Sequence, residues 1–397
     1  MSDPLPLYRR LRAESPVHPL PAYDGFALSR FADVWQVIQD SERTTLAEGP
    51  VYAREAVARP AQLEALSGFE AQRSFSSWDP PLHSALRAAL SPGFRPRALA
   101  RLEAPLRALA RERLCALREQ RRCDLVRDYA APVAVAGICS ALGLPLEAGP
   151  RYYELGSLAS RRAGGKPGTT PEGMAAQREL FERVLAEVRR QRARAPSGEP
   201  RALDALLRLE LAGARLDDAS VATQLVTLLI GGSETLPKLL AGGARELARH
   251  PDQRAALARE PAAIPRAFEE IVRHQGVLQS VGRTARRALS IGGVAVRRGQ
   301  RLFLLLQSAN RDEAEFAQAD RFDVRREARR SLGFGHGAHH CIGIHLARLE
   351  GRVLLEELLR EIPEWEVDEA GCERLPSEFQ IGYTRLPIAF GAAAATA

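Results

Sequence analysis

Lysine is almost missing from this sequence: of 56 lysines and arginines in 397 residues, only Lys166 and Lys238 are lysine. Such a bias reflects GC-rich codon usage more than a designed basic patch. The arginines are spread along the chain against 49 acidic residues, leaving a net charge of +7, and aromatics make up only 6%. A nucleic-acid binder gathers its cations into a stripe with stacking aromatics, so that class is disfavoured. An acidic protein docking on one basic face fits the charge balance better.

Cysteine is also scarce. The five cysteines, Cys115, Cys123, Cys139, Cys341 and Cys372, are odd in number and widely spaced, with no Cys-x-x-Cys pair, which excludes a disulfide framework. Cys115 and Cys139 lie in apolar helical patterns and are expected to be plain core thiols. No run of 18 uninterrupted apolar residues exists, so no membrane span is expected. The opening Met-Ser-Asp-Pro-Leu-Pro lacks a basic region followed by an apolar stretch, so no secretory signal is read and the cytoplasm is the expected compartment. With no dividing linker and no repeats, residues 1–390 are read as a single domain, and the Ala-rich 391–397 as a frayed tail.

What is present is mostly helix. Residues 98–120 and 174–195 carry apolar residues at spacings of three and four, with the Gly/Pro/Thr-rich 163–173 as a loop between them. A long helix should start at Asp217-Asp218, whose carboxylates suit a helix N-terminus, and reach about His250, where Pro251 blocks it. Gly231, Gly232 and Pro237 inside it predict a local deformation. Strand signals are few. Leu289–Val296 and Arg301–Leu306 flank a Gly-containing turn and resemble a hairpin, and a short extended piece is expected over 379–383.

The densest signal is Phe334-Gly-His-Gly-Ala-His-His-Cys-Ile-Gly343, followed by a helical pattern to about Glu361 with Ile342, Leu346, Leu349 and Val353 on one side. Cys341 thus stands just before a helix N-terminus, where backbone N–H groups and the dipole favour a thiolate. Gly335, Gly337 and Gly343 let something broad and flat approach the backbone, and Phe334 can pack on it. A soft, negative sulfur beside such a slot suits haem iron. Zinc competes through the crowded His336, His339, His340 and His345, but neither a second thiolate nor finger spacing is present. Gly333–Ala338 matches a dinucleotide fingerprint by accident, since an arginine-rich run precedes it in place of a strand. Gly232-Ser-Glu-Thr235 lacks the final glycine and preceding strand of a hydrolase elbow. A plain buried cysteine remains open on this segment alone.

The run resembles the haem-binding signature of the cytochrome P450 family, Phe-Gly-x-Gly-x-His-x-Cys-x-Gly, at every defined position. Three further segments, in the family's order, strengthen the resemblance. Glu270-Ile-Val-Arg273 is similar to its structural Glu-x-x-Arg, which the resemblance pairs with Arg321 in Asp320-Arg-Phe-Asp323. His83-Ser-Ala-Leu-Arg87 is similar to the helix whose cations hold haem propionates, a task that Arg283 and His339 would share. Gly231-Gly-Ser-Glu-Thr235 is similar to the segment whose acid and threonine order water and relay protons during oxygen activation. Departures are the absence of a proline soon after Arg273 and the presence of Pro237; both lie near the expected pocket.

The resemblance implies a mainly α fold with small β-sheets, the haem b held between a long central helix and the helix after the cysteine loop. It implies a monooxygenase in which Cys341 ligates iron, Glu234 and Thr235 manage protons, and His83, Arg87, Arg283, Phe334, Gly335, His339 and Gly343 form the cofactor site. Leu229, Val277, Leu278, Val281 and Ile381 would line a pocket for a hydrophobic terpenoid, steroid or polyketide. No flavin or reductase domain fits the length, so electrons would come from a ferredoxin and its NAD(P)H-dependent reductase, with Arg348 and Arg325–Arg330 as a docking face. Alternatives are a peroxide-using or oxidative-coupling relative and a non-catalytic haem sensor.

Overall fold

Two adjacent aspartates start the longest helix where the sequence places it. In the computed structural model, which describes residues 3–47, 74–161, 169–194, 201–211, 213–375, 377 and 379–391, the central helix runs Asp218–Arg249, and the Asp217 carboxylate caps it by accepting from the Ser220 N–H. Pro251 opens the next helix, Pro251–Arg259. The central helix is continuous through its three helix breakers, contrary to the expected deformation. Gly232 and Gly243 serve close approach instead. A Cβ on Gly232 would sit 2.5 Å from Ile138, and one on Gly243 would sit 2.6 Å from Ile271. The helices Ala131–Leu142 and Ile264–Gln275 can therefore pack directly on its backbone.

The other helices wrap this axis. The expected 98–120 helix is broken at its start into Pro96–Leu99 and a tight turn, Ala100–Leu102, before Glu103–Arg118 runs on. Pro171–Arg192 starts earlier than the periodicity suggests, because Thr170 caps Gly173 and Pro171 fits the first helical position. The stretch Leu125–Leu142 is long and apolar enough to cross a membrane by composition, yet 72% of it is buried inside the protein as a core helix. Cys139 is fully buried within it as expected. Cys115, expected in the core, is exposed: its neighbour Leu114 takes the buried face of Glu103–Arg118. Residues 392–397, read as a tail, lie outside the described residues, as does much of the 163–173 loop.

The sheets are small. The largest has the order Val17–Leu20, Gly25–Leu28, Arg301–Leu305, Ser280–Ala285, Thr44–Thr45. The expected hairpin is corrected here. Leu289–Ile291 pairs with Val294–Val296 across Gly292-Gly293, so the turn lies inside the first segment. Arg301–Leu305, buried at every position, instead runs between Gly25–Leu28 and Ser280–Ala285. A strand buried on both faces reads as a continuous apolar run, and so carries no alternation to reveal its partner. Within 379–383, Gln380 bridges to Leu278 and Tyr383 opens the strand Tyr383–Arg385.

Behind the cysteine loop the Glu-x-x-Arg helix, Ile264–Gln275, presents a fully buried ion pair. Arg273 grips both Glu270 oxygens at 2.7 Å and reaches the backbone carbonyls of Asn310 and Ala319. The third partner is not Arg321, whose guanidinium is exposed and bonds Gln318; only its backbone carbonyl meets Arg273. Arg326 takes the place, donating to Glu270 at 3.2 Å and to the carbonyls of Ala317, Gln318 and Arg321. The turn at Asp323–Arg326 folds Arg326 back under the meander, whereas Arg321 points outward. Arg326→Ala should destabilise the protein by about 2 kcal/mol, because it strips a partner from a buried carboxylate. Arg321→Ala should cost less than about 0.5 kcal/mol, and thermal unfolding of the two variants side by side checks the assignment.

Candidate active site

The cysteine loop is built from short-range hydrogen bonds. The Asn310 side chain accepts from the Leu332 N–H at 2.7 Å, the Gly335 N–H donates to Leu332, and the Cys341 N–H donates back to Phe334 at 2.9 Å. Gly335 and Gly337 have φ of 69° and 74°, left-handed values that favour glycine. At Gly337 a Cβ would also sit 2.7 Å from the Cα of Gln39, so the loop lies directly on the end of the helix Phe31–Ile38. His336 stacks on Trp35 with ring centroids 3.9 Å apart. Gly343 then begins the helix Ile344–Glu361, which packs on both the central helix and the Glu-x-x-Arg helix.

Cys341 stands one turn before that helix, as its sequence implies. Although the residue keeps partial exposure, enough atoms crowd its sulfur that burial pushes the thiol above its ordinary range. That effect outweighs the Gly343 N–H and the Arg87 and Arg348 charges, which pull the other way. The helix terminus alone therefore does not produce a thiolate here. A metal cation facing the sulfur would, because metal ligation requires the deprotonated form.

Two histidines and two arginines gather near Cys341. His83 and His339 stack with centroids 3.8 Å apart. Arg87, on the His83 helix Leu82–Leu90, and Arg283, on the strand Ser280–Ala285, both act electrostatically on His339. Burial, with the neighbouring positive charges adding to it, lowers His83 to about 4 and His339 to about 3. Burial likewise lowers Arg283 to about 10. Among the described residues Arg283 donates only to the Gly282 and Ile38 carbonyls, and the His83 Nε2 is a buried polar atom without a partner. Among the described residues the nearby carboxylate is Asp79, which is already committed to Arg286, Thr45 and the Leu46 N–H. The cluster is thus rich in donors and short of acidic charge. A pair of carboxylates on a flat ligand, such as the haem propionates, fits that imbalance. Open space supports the fit: a Cβ on Gly231 would meet nothing within 4 Å, and one on Gly335 would meet only the His339 carbonyl at 3.9 Å.

On the central helix, Thr235 is partly exposed and its hydroxyl donates to the Gly231 carbonyl at 2.8 Å. Glu234 turns into the protein, 1% exposed, and is ion-paired with Lys238. Of the expected pocket residues, Val277 and Leu278 are brought against Ile381 and Gln380 by the Ile381 N–H to Val277 carbonyl bond and by the Leu278–Gln380 bridge. Val281 is partly buried in its strand. Leu229 is a correction. It is fully buried in the main core, and at 3.6 residues per turn it lies about 120° around the helix from Thr235. Leu228, seven residues before Thr235, shares the Thr235 face instead. Sequence reasoning also missed Arg326 and Lys238. The rarity of lysine was the available signal for the second.

Comparison with known proteins agrees with this geometry. A family model described as cytochrome P450 matches residues 171–390. The chain is 34% identical to the putative cytochrome P450 123 of Mycobacterium tuberculosis over 392 residues, covering 97% of this chain and 94% of that protein. It is 32% identical to the 20-oxo-5-O-mycaminosyltylactone 23-monooxygenase of Streptomyces fradiae, covering 96% of this chain and 89% of that one. The structure of cytochrome P450 CREJ in complex with (4-ethylphenyl) dihydrogen phosphate superposes with a TM-score of 0.87 at 28% identity, over 98% of this chain and 97% of that chain. With a cysteine loop on a helix start, a cation cluster short of anions and a threonine on the central helix, the chain belongs to the cytochrome P450 family, and it is a haem b-dependent monooxygenase.

Proposed function

We propose that the protein inserts one oxygen atom from dioxygen into a hydrophobic small molecule of the terpenoid, steroid or polyketide kind, using electrons from a separate ferredoxin and NAD(P)H-dependent reductase. The observation that carries this reading is the histidine and arginine cluster beside Cys341, whose nearby carboxylate among the described residues, Asp79, is bound to other partners. Cys341 is the iron ligand, and His83, Arg87, Arg283 and His339 hold the propionates. Phe334, Gly335 and Gly343 shape the proximal face. When bound, the haem supplies the oxygen chemistry, and the chain supplies ligation, orientation and protons.

The proton work falls to Glu234 and Thr235. Thr235 keeps its hydroxyl at the open face while donating to Gly231, and Glu234 holds an acidic oxygen behind it. Val277, Leu278, Val281, Ile381 and Leu228 offer apolar surface to a substrate. The Streptomyces relative is named for oxidising 20-oxo-5-O-mycaminosyltylactone, which supports a large organic substrate here.

For the redox partner, the face formed by Arg325–Arg330 and Arg348 is less free than its sequence suggests. Arg348 pairs with Glu269 through two hydrogen bonds, Arg330 pairs with Glu315 and stacks over Trp35, and Arg326 is turned inward. A cleft of about 420 Å³ between Arg266, Glu269, Glu327, Arg329 and Arg348 gives an acidic partner side chain a place to exchange with these carboxylates. Residues 1–390 act as one domain in the cytoplasm in this reading.

Reduction under carbon monoxide should give a strongly red-shifted Soret band in the parent protein and none in Cys341→Ala; an unshifted band in the parent would refute thiolate ligation. In Thr235→Ala, product formed per electron consumed should fall by roughly tenfold or more, with peroxide released instead. Unchanged coupling in that variant would remove Thr235 from proton delivery.

A further inference from the structure

One of only two lysines in the chain is buried in the central helix, beside the acid of the proposed proton path. Lys238 is 3% exposed and Glu234 1% exposed. The ammonium donates to Glu234 Oε2 at 2.8 Å and also to the Glu234 backbone carbonyl at 2.7 Å. Among the described residues, buried Glu234 Oε1 has no partner, and the neighbouring Ser233 hydroxyl is likewise unpartnered. Both side chains border Gly156 of the helix Gly149–Ser160, where a Cβ would lie 3.9 Å from Glu234 Cγ and from Ser233 Oγ. On the same helix, burial raises the Tyr153 phenol pKa, and the charge of Glu234 raises it further. From the other side the turn after Ile381 closes on the lysine stem: a Cβ on Gly382 would lie 2.8 Å from Lys238 Cβ.

The choice of lysine is what needs explaining in a chain that otherwise uses arginine. A guanidinium is a rigid planar fork that grips both oxygens of a carboxylate, as Arg273 grips Glu270. An ammonium is a compact point charge, and with its second bond spent on the backbone carbonyl it takes one oxygen only. The result is a carboxylate clamped by Oε2, with Oε1 left as a buried acceptor. Buried acceptors of this kind are met by ordered water.

We infer that Lys238 is a positioning residue for proton supply: it keeps Glu234 ionised and fixed through one oxygen, and leaves Oε1 free for the water that links Glu234 to Thr235. The inference rests on the proposed proton role of Glu234 and Thr235. Pro237 assists, since it has no N–H to bond the Ser233 carbonyl four residues back, which leaves that carbonyl as a further acceptor for the same water. In each turnover Glu234 takes a proton from the solvent side and passes it on toward Thr235, so the carboxylate is regenerated and the lysine keeps its charge.

The test uses the haem-loaded protein with Lys238→Met, Lys238→Arg, Glu234→Gln and the Lys238→Met/Glu234→Gln double variant. The carbon monoxide spectrum of each confirms that it is folded. The double variant carries no unpaired buried charge, and so remains available if Lys238→Met alone fails to fold. Infrared spectroscopy reads the state of Glu234 without turnover. Lys238→Met should add a protonated-carboxyl carbonyl band that the double variant lacks. Burial pushes the Glu350 carboxyl well above its ordinary range, so the spectrum of the parent protein is subtracted from that of each variant. Lys238→Arg should show no new band, yet its coupling of electrons to product should fall to the level of Glu234→Gln, because the fork occupies Oε1.

An ionised Glu234 in Lys238→Met would overturn the clamp. A Lys238→Arg variant that couples like the parent would overturn the need for a free Oε1. If Glu234→Gln itself couples like the parent while the band appears in Lys238→Met, the clamp stands and the proton role of Glu234 fails.

Discussion

The cysteine loop holds its shape because an ion pair with no solvent exposure anchors the backbone that precedes it. Arg273 is fixed to Glu270 and bonds the Asn310 carbonyl, and the Asn310 side chain in turn holds the Leu332 N–H. From Leu332 the bonds run through Gly335 and Phe334 to Cys341. Burying two charges costs several kcal/mol for each ion unless every donor and acceptor finds a partner. Here Arg326 and three backbone carbonyls complete the set. The pair therefore specifies geometry more than it adds net stability, and the geometry it specifies is the position of one sulfur.

The active site uses charge in two opposite ways. At Glu270 and Glu234, buried carboxylates are matched by cations from the chain itself. At His83, Arg87, Arg283 and His339, cations are gathered with too little acid to balance them, and burial drives the histidines toward their neutral forms. Matched pairs hold the fold in place. An unmatched cluster suits a ligand that brings its own negative charge.

Most of the chemistry was legible because it is local. A cysteine one turn before a helix, histidine and arginine four apart, and an acid followed by threonine are patterns of adjacent residues on one element. The misreadings arose where distant segments decide. Arg321 and Arg326 lie on successive turns, and only the path of the meander shows which one reaches Glu270. Arg301–Leu305 has no alternation, so its partners could not be read from its pattern, and Cys115 lies beside the buried stripe of its helix instead of on it.

The sequence by itself determined that this is a mainly helical cytochrome P450 with Cys341 just before a helix start, because the cysteine loop and helix capping are set by residues within a few positions of each other. Tertiary structure alone decided which arginine completes the buried network, that Leu229 is fully buried in the core, and that Gly232 and Gly243 of the central helix serve packing. It also decided that Lys238 reaches Glu234 by one oxygen. Those outcomes depend on which surfaces come within a few ångströms of each other, and spacing along one chain does not encode that.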